Sequence, residues 1–247
     1  MDNPMPSAEH MPAEVFNSDA DWRERGFHLR TPPVTILNYD PAGDGDDRDA
    51  LVVVNREEHQ RGEPYDPDFA VEMKYRLLMC QRMPQDFEFP DKLARLLALS
   101  RRLTQWQVSG RCHTHVMGVE SNGVGWGLAS ALKTKLGHIV IPYSTIGSST
   151  EKPFTGAKVS MPRLAALDNL RIQMETHHLK VIPDAPGAED IIREMNSFVW
   201  RRPGRPEAMT GQKDDLVMAL CGAVWIGSKI LTPVLRAAPK SERRVMN

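Results

Sequence analysis

A chain of 247 residues can form one large domain or two small ones, and at 41% hydrophobic and 26% charged it lies outside the disordered, collagen-like and fibrous classes. A net charge of -1 argues against gripping nucleic acid with the whole surface, and the three widely spaced cysteines, Cys80, Cys112 and Cys221, cannot build a disulfide framework, which favours a reducing compartment. The most apolar stretch, Leu216 to Leu235, is broken by Gly227, Ser228, Lys229 and Pro233 and falls short of the ~20 residues a bilayer span needs, and the opening is polar and acidic, so neither membrane insertion nor secretion is expected.

Residues 1 to 32 show no sustained period and close on Thr31-Pro32-Pro33, which reads as a tail or linker. Val34 to Tyr39 and Ala50 to Asn55 are β-branched, apolar runs joined by an Asp/Gly turn, and predict strand, loop and strand. Phe69 to Met79 alternates as a third strand. Asp91 to Gln107 has helical spacing behind Pro90. His113 to Glu120 predicts a strand, followed by the Asn122-Gly123 turn and a helix through Leu136, then a strand at His138 to Tyr143. Met161 to His178 is an amphipathic helix. A short strand at Val181 and Ile182, a helix at Glu189 to Met195, a strand at Phe198 to Trp200 and a last long helix at Asp214 to Leu231 complete the order. Adjacent strands followed by alternating strands and helices imply one α/β domain, residues 33 to 235, with a mixed central sheet covered by helices on both faces and a polar C-terminal tail at 236 to 247.

Three acidic positions stand at the ends of core elements. Asp40 closes an apolar strand, with Asp44, Asp46, Asp47 and Asp49 in the loop behind it. A carboxylate where a strand leaves the core is held by the sheet yet faces solvent, and hard oxygen donors suit Mg²⁺ or Mn²⁺. An Asp/Gly turn with no ligand is the plain alternative. A calcium loop counted from Asp40 fails, because Ala42 and Leu51 would occupy ligand positions. Glu120 ends the strand VMGVE ahead of Gly123, Gly125 and Gly127, whose spacing is not the dinucleotide G-x-G-x-x-G; the acid could equally favour a helix dipole. Asp214 and Asp215 precede LVMALCGAVW, a helix apolar almost all round. One Asp there is a cap, but two adjacent like charges exceed what capping requires.

Carboxylates from two strands and a terminal helix are a known way to hold two Mg²⁺ ions for phosphodiester cleavage. The segments NYDPAGDGDDRDALVVV, GVESNGVGWGLASAL and KDDLVMALCGAVW, in this order, resemble the C-terminal nuclease domain of the large terminase subunit of tailed bacteriophages, over residues 33 to 231. The resemblance implies a ribonuclease H-like fold and a Mg²⁺- or Mn²⁺-dependent endonuclease that cuts concatemeric viral DNA with two ions. By it, Asp40, Glu120 and Asp215, or its neighbour Asp214, are the catalytic metal ligands, and one of Asp46, Asp47 or Asp49 is an accessory acid. Lys213 stands where many family members have His, and a protonated Lys cannot ligate metal. The implied partners are double-stranded DNA, the terminase ATPase domain, the small terminase subunit and the portal, in the cytoplasm of an infected bacterial host. No G-x-x-x-x-G-K-[ST] occurs, so the sequence reads as the nuclease half without its motor.

DNA contact must come from basic residues. Arg201, Arg202, Arg205 and Lys213 lie on a Pro/Gly-containing loop feeding the last helix, and Lys158 and Arg163 lie near the start of the amphipathic one. A solvated charged surface is the alternative for each. Cys112, His113 and His115 mimic a zinc cluster, but adjacent strand residues face opposite ways and no second ligand pair stands at finger spacing. A junction resolvase or transposase-like nuclease is a related reading; transposases of the Asp-Asp-Glu type end in Glu, whereas the last acid here is Asp215. A catalytically silent module that docks on the portal or ATPase is the alternative of a different class.

Overall fold

The central strand is β1 (Phe27–Asp40), whose residues Thr35 to Tyr39 are buried in succession because helices cover both faces of the sheet. It pairs antiparallel with β2 (Ala50–Arg61), which pairs antiparallel with β3 (Ala70–Arg82). The computed structural model describes residues 26–42, 48–63, 65–108, 114–147, 159–202, 205–208 and 213–231. On the other side of β1, β4 (Thr114–Glu120), β5 (Val140–Ile146) and β6 (Val159–Pro162) add in parallel, and β7 (Leu179–Val181) joins β3 in parallel. The result is a mixed seven-stranded sheet in the order β6-β5-β4-β1-β2-β3-β7.

Strand alternation sorts the core into two layers. Leu37, Tyr39, Leu51 and Val53 face α1 (Phe89–Val108) and α2 (Gly125–Leu136), whereas Ile36, Ala50, Val52 and Val54 face α3 (Arg163–Glu175), α4 (Ala188–Ser197) and α5 (Asp215–Trp225). Helix α5 is buried along almost its whole length against β1 and β2, and it runs on into a wider π turn at Ile226–Ile230. Its all-round apolar sequence follows from that central position. Among the described residues no helix is long and apolar enough to cross a membrane.

The elements depart from the sequence reading in three places. β1 begins at Phe27 rather than Val34 and runs through Thr31-Pro32-Pro33; register shifts between Leu29 and Thr31 and between Thr31 and Val34 absorb residues that have no N–H to give the ladder. The short edge strand β6 precedes α3, where a helix was expected from Met161. The segment after α4, read as a strand and a loop, folds back as a two-stranded hairpin of β8 (Phe198–Arg202) and β9 (Arg205–Ala208). The distal half of β2 is charged yet buried: Arg56 lies 3.2 Å from Glu58, His59 lies 2.9 Å from Glu57, and Arg30 lies 2.8 Å from Glu58. Paired charge, rather than apolar patterning, satisfies that end of the sheet.

Candidate active site

Register brings the acids to one level. Asp40 is opposite Ala50, Ala50 is opposite Arg82, Glu120 is opposite Tyr143, and Tyr39 is beside Val119. Tyr143, Glu120, Asp40, Ala50 and Arg82 therefore form a rank across β5, β4, β1, β2 and β3. Asp40 and Glu120 leave adjacent parallel strands at their carboxyl ends, where open α/β sheets place ligands. The Asp40 carboxyl is held well above the usual carboxylate range, first by burial, then by the adjacent Glu120 carboxyl, then by the charges of Asp215 and Asp214. Asn122 steadies Glu120, its Nδ2 donating to Glu120 Oε1 at 3.0 Å and to the Thr145 carbonyl at 2.9 Å. The start of α2 folds tightly over this strand end. A Cβ on Gly125 would stand 2.0 Å from the Glu120 carbonyl oxygen and 2.7 Å from Pro41 Cγ, so this glycine serves close packing.

Helix α5 carries Asp214 and Asp215 to the same end of the sheet, and its seat is built beneath Asp40. Asn38, fully buried two residues before Asp40 and on the same face, donates from Nδ2 to Tyr143 Oη at 2.9 Å and to the Ala219 carbonyl at 2.8 Å. Gly222 permits the approach, since a Cβ there would lie 2.4 Å from both Asn38 Nδ2 and Tyr143 Oη. Burial, then the charges of Asp40 and Glu120, hold the Tyr143 phenol well above its usual range, so it stays a neutral O–H. Asp214 precedes the helix without capping it through its side chain; it meets Arg163 Nη2 at 2.5 Å instead. Asp215 Oδ2 lies 4.0 Å from Arg82 Nε. Arg82 also donates from Nη2 to Glu194 Oε1, and Glu194 Oε2 accepts the Val217 N–H at 3.0 Å. Burial pushes Glu194 up to about 7.

Asp49, one of three accessory-acid candidates, is buried and occupied: the Tyr39 hydroxyl donates to its Oδ2, Lys92 Nζ sits 2.7 Å from the same oxygen, and the Ala42 N–H donates to Oδ1 at 2.8 Å. These bonds clamp the two ends of the acidic loop. Asp46 and Asp47, like Asp44, lie outside the described residues, as do Lys158, Cys112 and His113. His115 points inward to a 3.1 Å contact with Ser100 Oγ, and burial lowers its pKa. Of the basic residues, Arg163 engages Asp214, Lys213 is half-buried next to it, and Arg201, Arg202 and Arg205 fall on the β8–β9 hairpin, with Arg202 opposite Arg205.

Sequence reasoning passed over Asn38, Tyr143, Arg82 and Glu194. Asn38 had a signal, a polar residue inside the apolar run ILNYD at a position of inward parity with Asp40; the other three had none. Among the described residues no three His, Cys, Asp or Glu side chains converge closely enough to hold an ion by themselves; Asp214 pairs with Arg163, and Asp215 lies 4.0 Å from Arg82. The donor set nevertheless fits a hard divalent cation. It is all oxygen, and a cation between the acids would offset both the burial and the neighbouring negative charge that raise Asp40.

No protein-family model matches the chain, and no curated protein matches it. Solved structures do. The human cytomegalovirus terminase nuclease domain superposes with a TM-score of 0.53 at 11% identity, covering 89% of this chain and 91% of that one. Its Mn-soaked, inhibitor-bound form gives 0.53 at 12% identity, covering 94% and 93%. The nuclease domain of the large terminase subunit gp2 of bacterial virus Sf6 gives 0.48 at 12% identity, covering 85% and 94%. At such identities the likeness is one of fold. The chain has the ribonuclease H-like architecture of terminase nuclease domains.

Proposed function

We propose that this chain is a viral DNA-packaging nuclease, a metal-dependent endodeoxyribonuclease of the phage terminase type. The observation that carries the reading is the meeting of Asp40 with Glu120 at adjacent strand exits, within electrostatic reach of Asp214 and Asp215, on a terminase-nuclease-like fold. Asp40, Glu120 and Asp215, with Asp214, would hold Mg²⁺ or Mn²⁺, which when bound lowers the pKa of an attacking water and stabilises charge on the leaving 3′ oxygen. The protein's own contribution is positional. β1 and β4 fix two carboxylates, Asn38 and Gly222 seat the helix that brings the others, and Asp49 ties itself to Ala42; Asp46 and Asp47 remain accessory-acid candidates by sequence. Arg201, Arg202 and Arg205, with Lys213, Lys158 and Arg163, would meet DNA phosphates. Double-stranded DNA in the cytoplasm of an infected bacterium, a terminase ATPase domain, the small subunit and the portal complete the proposed setting.

Incubation of the chain with supercoiled plasmid tests this directly. Nicking and linearisation that require Mn²⁺ or Mg²⁺ and stop in EDTA are expected, and Asp40→Ala, Glu120→Ala and Asp215→Ala should each abolish them in a folded protein. Full digestion by any one variant removes that residue from the site. No cleavage by the wild type with either ion leaves the silent docking module as the reading.

A further inference from the structure

We propose that Glu194 and Arg82 are positioning residues for Asp215, holding it beside Asp40 and Glu120 before any ion arrives; this rests on the nuclease reading above. The start of α5 lacks the local cap its sequence offers, because Asp214 turns to Arg163. Glu194, on α4 and buried, takes over that task from outside the helix. Its Oε2 accepts the Val217 N–H in the first turn, at 3.0 Å, which is the bond a cap residue normally supplies. Its Oε1 receives Arg82, the last residue of β3 and a member of the rank that contains Asp40. Arg82 in turn presents Nε to Asp215 Oδ2 at 4.0 Å. One carboxylate thus ties the backbone of the acid-bearing helix to the sheet and fixes a guanidinium within ion-pair range of the acid itself.

An orienting pair and a mere counter-charge make opposite predictions. Should Arg82 only neutralise Asp215, its removal would strengthen the attraction for a cation; should it orient Asp215, removal would weaken binding. The test is calorimetric titration of the full chain with Mn²⁺, alongside plasmid cleavage with kcat and KM separated, for Arg82→Gln, Glu194→Gln and Glu194→Ala. Outer-shell partners of this kind cost about 10-fold or more in metal affinity when lost, the loss expected for Arg82→Gln and Glu194→Ala. Glu194→Gln should lose less, since its amide oxygen still accepts the Val217 N–H. kcat should fall in the same order while KM for DNA stays within about twofold, because DNA contacts are untouched. If Glu194→Ala fails to fold by circular dichroism, the other two variants carry the comparison. Folded variants with wild-type Mn²⁺ affinity and kcat, or tighter Mn²⁺ binding by Arg82→Gln, overturn the positioning role while leaving the nuclease intact. A wild type that neither binds Mn²⁺ nor cuts takes both down.

Discussion

Substitution of Gly222 by Ala tests the seat of the acid-bearing helix. The new methyl would stand 2.4 Å from Asn38 Nδ2 and from Tyr143 Oη, about 1 Å inside normal contact. Either α5 lifts from the sheet or Asn38 surrenders its bonds to Tyr143 and the Ala219 carbonyl. Overpacking costs about 1–3 kcal/mol and each buried hydrogen bond about 1 kcal/mol, against a gain of about 1 kcal/mol from replacing glycine in a helix. The net loss is about 2–4 kcal/mol, which for a domain of this size lowers the melting temperature by about 5–15 °C. Gly127→Ala is the matched control. It is also helical but exposed, and its Cβ would meet only the Phe89 ring at 3.6 Å, so it should gain about 0.5–1 kcal/mol. Thermal unfolding followed by circular dichroism in EDTA reads both. Should Gly222→Ala melt within about 1 °C of wild type, or should the two variants shift in the same direction, the proposed contact between α5 and the Asn38–Tyr143 pair is refuted.

Two further outcomes are expected. The raised pKa values of Asp40 and Glu194 mean that the native state holds these protons more tightly than the unfolded chain; in EDTA, their contribution to stability should be full below the ordinary carboxylate range and be lost as pH rises, for Glu194 between 4.5 and about 7. Melting curves from pH 4.5 to 8 read this as the difference between wild type and variant: the stability of wild type relative to Asp40→Asn and to Glu194→Gln should fall as pH rises, and a difference that is flat or rises with pH contradicts the assignment. Neutralising Arg201, Arg202 and Arg205 together should reduce the slope of log affinity against log salt for DNA by roughly 0.9 for each lost phosphate contact, and an unchanged slope in a filter-binding series would show that the hairpin does not touch the backbone.

Much of the architecture was legible in the chain. The apolar runs of β1, β2 and β4, the helical spacing of α1 and α3 and the all-apolar face of α5 follow from local periodicity, and each element appears where its run was read, although β1 starts seven residues earlier and β2 runs six residues further than expected. The positions of Asp40, Glu120 and Asp214-Asp215 at the ends of such elements were equally visible, because a charged residue terminating an apolar run is a local feature. Their mutual distances were not. It took the parallel pairing of β1 with β4 to set Asp40 beside Glu120, and the descent of α5 onto β1 and β2 to bring the aspartates within reach. Asn38, Tyr143, Arg82 and Glu194 come from four elements, and nothing within a few residues of any one specifies its partners. Backbone propensity is written over short windows, whereas buried hydrogen bonds and desolvated charges depend on which surfaces the completed sheet presses together.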